Sequence, residues 1–192
     1  MSLQLFIGPM YAGKSSELIR QIQRYEILGK NILVINHSIN NRYGSNTITT
    51  HTKMSYDDCI IIPTLSSIFE NNEYIQSFNN AEVIVIEELQ FFADAYDHIV
   101  DWSDNKGKNV IACGLDGDFK RAPFGDVLRL IPHAEKVVKL SALCKRCRDG
   151  TPANFTMRVT KDESQTVVGS DDVYEAVCRK HFLENESKNI NG

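Results

Sequence analysis

Short apolar runs alternate with amphipathic stretches along most of the chain. Leu3-Gln4-Leu5-Phe6-Ile7 is one such run, and others fall at 31–36, 59–62, 82–86, 109–115 and 136–140. Each is too short for a helix and is bounded by turn-forming residues, which predicts buried strands. Val83-Ile84-Val85-Ile86 is β-branched throughout and reads as a central strand. Between the runs, apolar positions 18, 19, 22, 25 and 28 recur at helical spacing, and Gly29 stops the pattern. Residues 65–78 predict a loosely amphipathic helix with Ile68, Phe69, Tyr74, Ile75 and Phe78 on its buried face. A third helix runs through Trp102 to the turn Asn105-Lys106-Gly107, and a short one carries Leu128, Leu130 and Ile131 before Pro132. Residues 38–53 are polar and read as a mobile loop with room for a β-hairpin. Arg42 and His51 lie in it and, on pattern alone, read as solvated. Strand–helix alternation of this kind predicts an α/β fold, a mostly parallel sheet flanked by helices.

After Leu143 the character changes. Two short strands are expected at 155–160 and 165–168, in a segment with too little apolar content to hold itself together. The chain therefore divides into a main domain at 1–141, a small lobe at 142–184 and a polar tail at 185–192 that is expected to be disordered. No internal repeat is visible.

Three places on this frame carry chemistry. Gly8-Pro9-Met10-Tyr11-Ala12-Gly13-Lys14-Ser15 fits G-x-x-x-x-G-K-[ST] and sits between the first strand and the first helix, as a phosphate-cradling P-loop must. Glycines let successive backbone N–H groups turn inward around a triphosphate, Lys14 reaches the β- and γ-phosphates, and the Ser15 hydroxyl can ligate Mg²⁺. The plain alternative is a glycine turn that matches by chance. Glu87 and Glu88 end the central strand, where its carboxyl end faces the ligand crevice. A P-loop protein places its metal-holding carboxylate there, although two acids can also be a solvated strand end. Adjacent side chains diverge, so one acid can serve the metal and the other a second substrate. Phe119 and Phe124 fall in the loop after the fifth strand, as a wall for a nucleobase or as core plugs. In the small lobe, Cys144-Lys145-Arg146-Cys147 and Cys178-Arg179-Lys180-His181 are paired half-sites suited to one tetrahedral Zn²⁺. Four protein ligands would make that zinc structural; a redox pair or unrelated free cysteines are the alternatives.

Composition narrows the classes. The chain has 192 residues, is 42% hydrophobic and carries a net charge of −4, which speaks against a nucleic acid polymer as main partner. No apolar run approaches a membrane span, and no basic start with an apolar core opens the chain. Five cysteines do not suggest a disulfide framework, so the protein is expected to be soluble and cytoplasmic.

With these pieces together, the chain resembles the type II thymidine kinases, the family of the cytosolic animal enzyme and the poxviral ones. The resemblance covers about residues 3–183. It rests on the P-loop, on Glu88-Leu89-Gln90-Phe91-Phe92, and on Leu115-Asp116-Gly117-Asp118-Phe119-Lys120-Arg121-Ala122-Pro123-Phe124. Val137-Val138-Lys139-Leu140, the two metal half-sites, and Val167-Val168-Gly169 with Tyr174 add to it. The resemblance implies a P-loop, RecA-like sheet with a zinc-clipped lasso lobe, and transfer of the ATP γ-phosphate to the 5′-hydroxyl of thymidine. Glu88 matches the family's general base. Gly8 to Ser15 would bind ATP and Mg²⁺ together with Glu87, Gln90 and a donor loop at Asn40, Asn41 and Arg42. Met10, Phe91, Leu115, Phe119, Phe124, Thr156 and Tyr174 would face the nucleoside. The backbone of Gln165, Thr166, Val167, Val168 and Gly169 would read the base edge. A homotetramer and feedback inhibition by dTTP are implied as well. The chain departs from the family pattern in having Glu87 for an aspartate, Leu89 for a small residue, and Asn40 and Thr52 for acids, with extra residues around Thr151-Pro152. Two rival classes fit the P-loop alone: an ATPase working on nucleic acid, which hydrolyses ATP without nucleoside, and a nucleotide-binding module without chemistry.

Overall fold

The computed structural model describes the chain except residues 41–47, 50–54, 161, 163, 168–171 and 191–192; at 40, 49 and 186–190 it describes backbone only. In chain order, Ser2–Ile7 is β1, Lys14–Ile27 α1 and Ile32–His37 β2. Ile48–Thr49 (β3) and Ser55–Tyr56 (β4) pair antiparallel, and Ile60–Ile62 is β5. Asn72–Asn80 (α2), Val83–Ile86 (β6), Ala95–Asp104 (α3), Asn109–Gly114 (β7) and Lys136–Lys139 (β8) complete the main body. The small lobe holds Ala142–Leu143 (β9), Pro152–Ala153 (β10), Phe155–Arg158 (β11), Tyr174–Val177 (β12) and Arg179–Ile190 (α4).

Six strands form one sheet in the order β5-β2-β6-β7-β1-β8, and every neighbouring pair is parallel. Strand periodicity sends alternate side chains to two cores. Leu3, Leu5, Ile7, Leu33, Ile35, Ile84 and Ile86 join Phe78, Ile99 and Trp102 on one face. Phe6, Val34, Val83, Val85, Ile111 and Cys113 join Leu18, Ile19 and Ile22 of α1 on the other. A strand buried on both faces can be apolar throughout, which is why the Val-Ile-Val-Ile run forms β6 at the middle of the sheet. The carboxyl ends of β6, β7 and β1 lie side by side and deliver Glu87-Glu88, Leu115 and the P-loop to one crevice.

Four local expectations change. The helix predicted at 65–78 is two pieces, a 3-10 turn at Leu65–Glu70 and then α2. Asn71 divides them because its side chain accepts from the N–H groups of Glu73 and Tyr74, capping a new helix and ending the old one. The short helix before Pro132 is a 3-10 stretch, Val127–His133, that includes the proline. In the lobe, β11 pairs antiparallel with β12, and Gln165 to Val167 form no strand. The carbonyls of Gln165 and Val167 accept from the side chains of Arg158 and Tyr174, so no ladder partner takes them. Lastly, helical backbone runs to Ile190 through the polar tail read as disordered from residue 185. Once the turn at Cys178 and His181 starts the helix, each further residue costs little to add. Among the described residues, no helix is long and apolar enough to cross a membrane.

Candidate active site

The P-loop takes its shape from backbone that few side chains tolerate. Gly8 has φ 147°, and a Cβ there would lie 2.4 Å from the carbonyl oxygen of Leu140, whose N–H bonds Ile7 O at the exit of β8. Gly13, with φ 79°, caps α1 in the left-handed region, so the helix N-terminus opens onto the crevice beside Lys14 and Ser15. Lys14 Nζ donates to Pro9 O at 2.8 Å. Gly8 and Pro9, at the start of the loop that enters the cleft, are buried. Met10 through Ser15 do line it.

Glu87 and Glu88 both line the cleft, in different surroundings. Glu87 is only 3% exposed. The Ser15 hydroxyl donates to its Oε1 at 2.5 Å and the Cys113 thiol to its Oε2 at 3.1 Å. Burial first, and then the neighbouring Glu88 charge, push the Glu87 carboxyl up to about 7. A hydroxyl and a carboxylate at a P-loop are hard oxygen donors of the kind magnesium prefers, so these residues fit that ion. Glu88 has φ 55°, a left-handed turn just past the end of β6. Gln90 Nε2 holds Glu88 Oε2 at 2.5 Å, while Gln90 Oε1 accepts from Leu115 N at 3.0 Å. Gln90 is thus a brace between the ends of β6 and β7. The space around it is tight: a Cβ on Gly125 would lie 2.4 Å from Gln90 O. Leu89 is fully buried in the core.

Beyond the acids the cleft turns apolar. Phe91, Leu115, Phe119 and Phe124 line it, with Phe91 edge-on to Phe124 at 5.5 Å between ring centres. His37 backs Phe91 at 5.6 Å, and burial lowers its pKa. The small lobe supplies the facing wall through Thr156, Gln165, Thr166, Val167 and Tyr174. Two bonds tie this wall to the P-loop: Met10 N donates to Thr156 Oγ1 at 3.0 Å, and Tyr11 OH to Tyr174 O at 3.3 Å. Asn40 ends a 3-10 turn after β2, and its side chain lies outside the described residues, as do Asn41, Arg42, Val168 and Gly169.

Among the described residues, Cys144, Cys147, Cys178 and His181 converge, with all four ligand atoms within 4.8 Å of one another. His181 Nδ1 is 3.4–3.5 Å from each of the three sulfurs, and the Cys147 and Cys178 sulfurs are 3.7 Å apart. A tetrahedron with ordinary Zn–S and Zn–N bonds has edges of about 3.6 Å (S to N) and about 3.8 Å (S to S). The four residues therefore fit a closed, structural zinc site.

Three functional neighbours escaped sequence reasoning. Cys113 reads as an ordinary strand residue. Asp118 accepts from Lys120 N and Ala122 N through one oxygen and from Gln165 Nε2, at 2.9 Å, through the other, so it both shapes its loop and ties it to the lobe. Arg158 is buried at the end of β11 and stacks on Phe119 at 3.8 Å. A lone cation in the strand Phe155-Thr156-Met157-Arg158 was the available signal.

A family model described as "Thymidine kinase" matches residues 1–182. The chain belongs to the thymidine kinase family. Thymidine kinase of Oryza sativa subsp. japonica is 40% identical over 187 residues, spanning 96% of this chain and 67% of that protein. Thymidine kinase of Choristoneura fumiferana entomopoxvirus is 40% identical and matched over its whole length and 98% of this chain. That of Vaccinia virus (strain Western Reserve) is 39% identical over 95% of this chain and 97% of its own. Thymidine kinases are ATP-dependent phosphotransferases, and membership of that family sets aside the nucleic-acid ATPase and the non-catalytic module.

Proposed function

We propose that the chain transfers the γ-phosphate of ATP to the 5′-hydroxyl of thymidine, giving dTMP for deoxynucleotide salvage. The observation that carries this is a single cleft with a phosphate grip at one end and an aromatic wall at the other, and Glu88 between them. The P-loop amides, Lys14 and the N-terminus of α1 take the donor phosphates. Phe91, Phe119 and Phe124 suit a flat base, with Met10, Leu115 and Tyr174 completing the nucleoside side.

Phosphoryl transfer asks for positioning and charge neutralisation more than covalent work. Glu88 accepts the 5′-hydroxyl proton and points that oxygen at the γ-phosphorus; Gln90 keeps its carboxylate in place. Ser15 and Glu87 would hold magnesium, which when bound supplies positive charge to the phosphates. Cys144, Cys147, Cys178 and His181 would hold zinc as a clip for the lobe at 142–184, whose wall excludes water that would otherwise hydrolyse ATP. Asn40, Asn41 and Arg42 belong to the donor side on this reading, and Val168 and Gly169 to the base side. A cytoplasmic homotetramer restrained by dTTP completes the proposal.

The test is an assay with ATP and Mg²⁺ offered with thymidine, deoxyuridine, deoxycytidine or no nucleoside. Phosphorylation of thymidine is expected. Hydrolysis independent of nucleoside, or no turnover at all, would sink the reading.

A further inference from the structure

Arg158 is 5% exposed, and the described oxygens that its guanidinium hydrogen-bonds are all uncharged; the nearby Asp162 carboxylate, whose pKa its charge helps to lower, supplies the counter-charge. Nη1 donates to the carbonyls of Asp162, at 2.9 Å, and Ser164. Nη2 donates to the carbonyl of Gln165 at 3.2 Å and to the Tyr174 hydroxyl at 2.6 Å. That hydroxyl donates onward to Val167 O at 3.0 Å. The guanidinium carbon lies over two rings, 3.8 Å from the centre of Phe119 and 5.1 Å from that of Tyr174. Both rings line the cleft, whereas Arg158 stands behind them. A buried cation is costly unless its protons are used. Here four are directed at backbone and hydroxyl oxygens of one short stretch and its neighbour, and only Nε lacks a partner.

We propose that Arg158 is the positioning residue for the nucleoside side of the cleft. One guanidinium gathers the carbonyls of Asp162, Ser164 and Gln165 and, through Tyr174, that of Val167, and it braces Phe119 from behind. Between Ser164 and Val167 this leaves Thr166 as the residue whose carbonyl has no donor among the described residues, and Thr166 lines the cleft. Among the described residues, the carbonyls of Ser164, Gln165 and Val167 are thus committed before a ligand arrives. The assignment rests on the reading that this cleft takes thymidine. Lysine cannot replace the arginine, because a single ammonium has neither the planar fork nor the flat face that the two rings meet.

The experiment compares wild type with Arg158→Lys and Tyr174→Phe. It measures initial rates against thymidine at saturating ATP and against ATP at saturating thymidine, direct thymidine binding by calorimetry, melting temperature and zinc content. In Arg158→Lys the KM and Kd for thymidine should rise about 10- to 100-fold, the scale of one or two lost charge-assisted bonds, while the KM for ATP stays within about twofold. Tyr174→Phe removes one link of the same chain and should move thymidine binding in the same direction by about 3- to 10-fold; it decides the matter if the lysine variant does not fold. A folded variant of either kind with thymidine binding within about twofold of wild type would overturn the assignment. So would a loss shared equally by ATP and thymidine with a lowered melting temperature, since that marks a scaffold residue. A wild-type chain inert towards thymidine would overturn the functional reading itself, and this assignment with it.

Discussion

Glu87 and Glu88 are neighbours in sequence with opposite surroundings, and each surrounding has a measurable consequence. Glu88 is held in the cleft by Gln90 and by a left-handed backbone turn. Glu88→Gln should lower kcat by about 10²- to 10⁴-fold, the range for a lost general base, with an unchanged melting temperature. A near-normal rate would remove Glu88 from that role. Glu87 is buried, and its pKa lies near 7 in place of the usual 4.5. The folded chain therefore holds this proton more tightly than the unfolded chain between those two values. The stability it contributes is full below about pH 4.5 and is lost as pH rises through about 7. The unfolding free energy of metal-free protein, from urea titrations between pH 5 and 8, should fall by on the order of 1–3 kcal/mol from this group, and Glu87→Gln should flatten that decline. The residue scale is also where the sequence was least legible. Cys113, Asp118 and Arg158 act through partners far away in the chain, and nothing in their own neighbourhoods announces Glu87, Gln165 or Phe119.

The elements show how tightly the apolar side of the cleft is fixed. Gly125 has φ 57° and no room for a Cβ against Gln90 O. Gly125→Ala should push Gln90 off the Glu88 carboxylate and lower kcat, by about 10-fold or more, with a smaller change in thymidine binding; steady-state kinetics resolve the two. The lobe has its own small core of Ala142, Ala153, Met157, Ala176, Val177 and Phe182, which meets Tyr11 and Ala12 of the P-loop. Such a core is marginal without a metal clip. Purified protein should contain about one zinc per chain. Chelation should make the lobe sensitive to protease and raise the thymidine KM well before the sheet unfolds. An ordered lobe in metal-free protein would count against the structural role. At this scale periodicity read the sheet strands and α1 well, because two-sided burial leaves a plain apolar signature. It failed at 65–78, where one asparagine cap split a helix, and at 165–167, where side chains took the carbonyls a strand needs.

For the whole molecule, sedimentation should give about four times the 21.7 kDa chain mass if the tetramer proposal is right; a monomer at working concentration would remove it. The alternation of strands and helices was enough to foresee a parallel sheet with its crevice at the strand ends, since that layout is dictated by which faces must be covered. The meeting of the lobe with that crevice was not, because it rests on hydrogen bonds between residues separated by most of the chain. Met10 to Thr156 and Tyr11 to Tyr174 are such bonds, and both join the P-loop, the proposed donor side, to the lobe wall proposed for the acceptor. Any free energy that ATP spends in reshaping residues 10 and 11 is then felt at the nucleoside wall, and the reverse is equally true. Thermodynamic reciprocity requires that a non-reactive ATP analogue alter thymidine affinity by the same factor that thymidine alters the analogue's. Loosening either bond, as in Thr156→Val, should bring that shared factor closer to one.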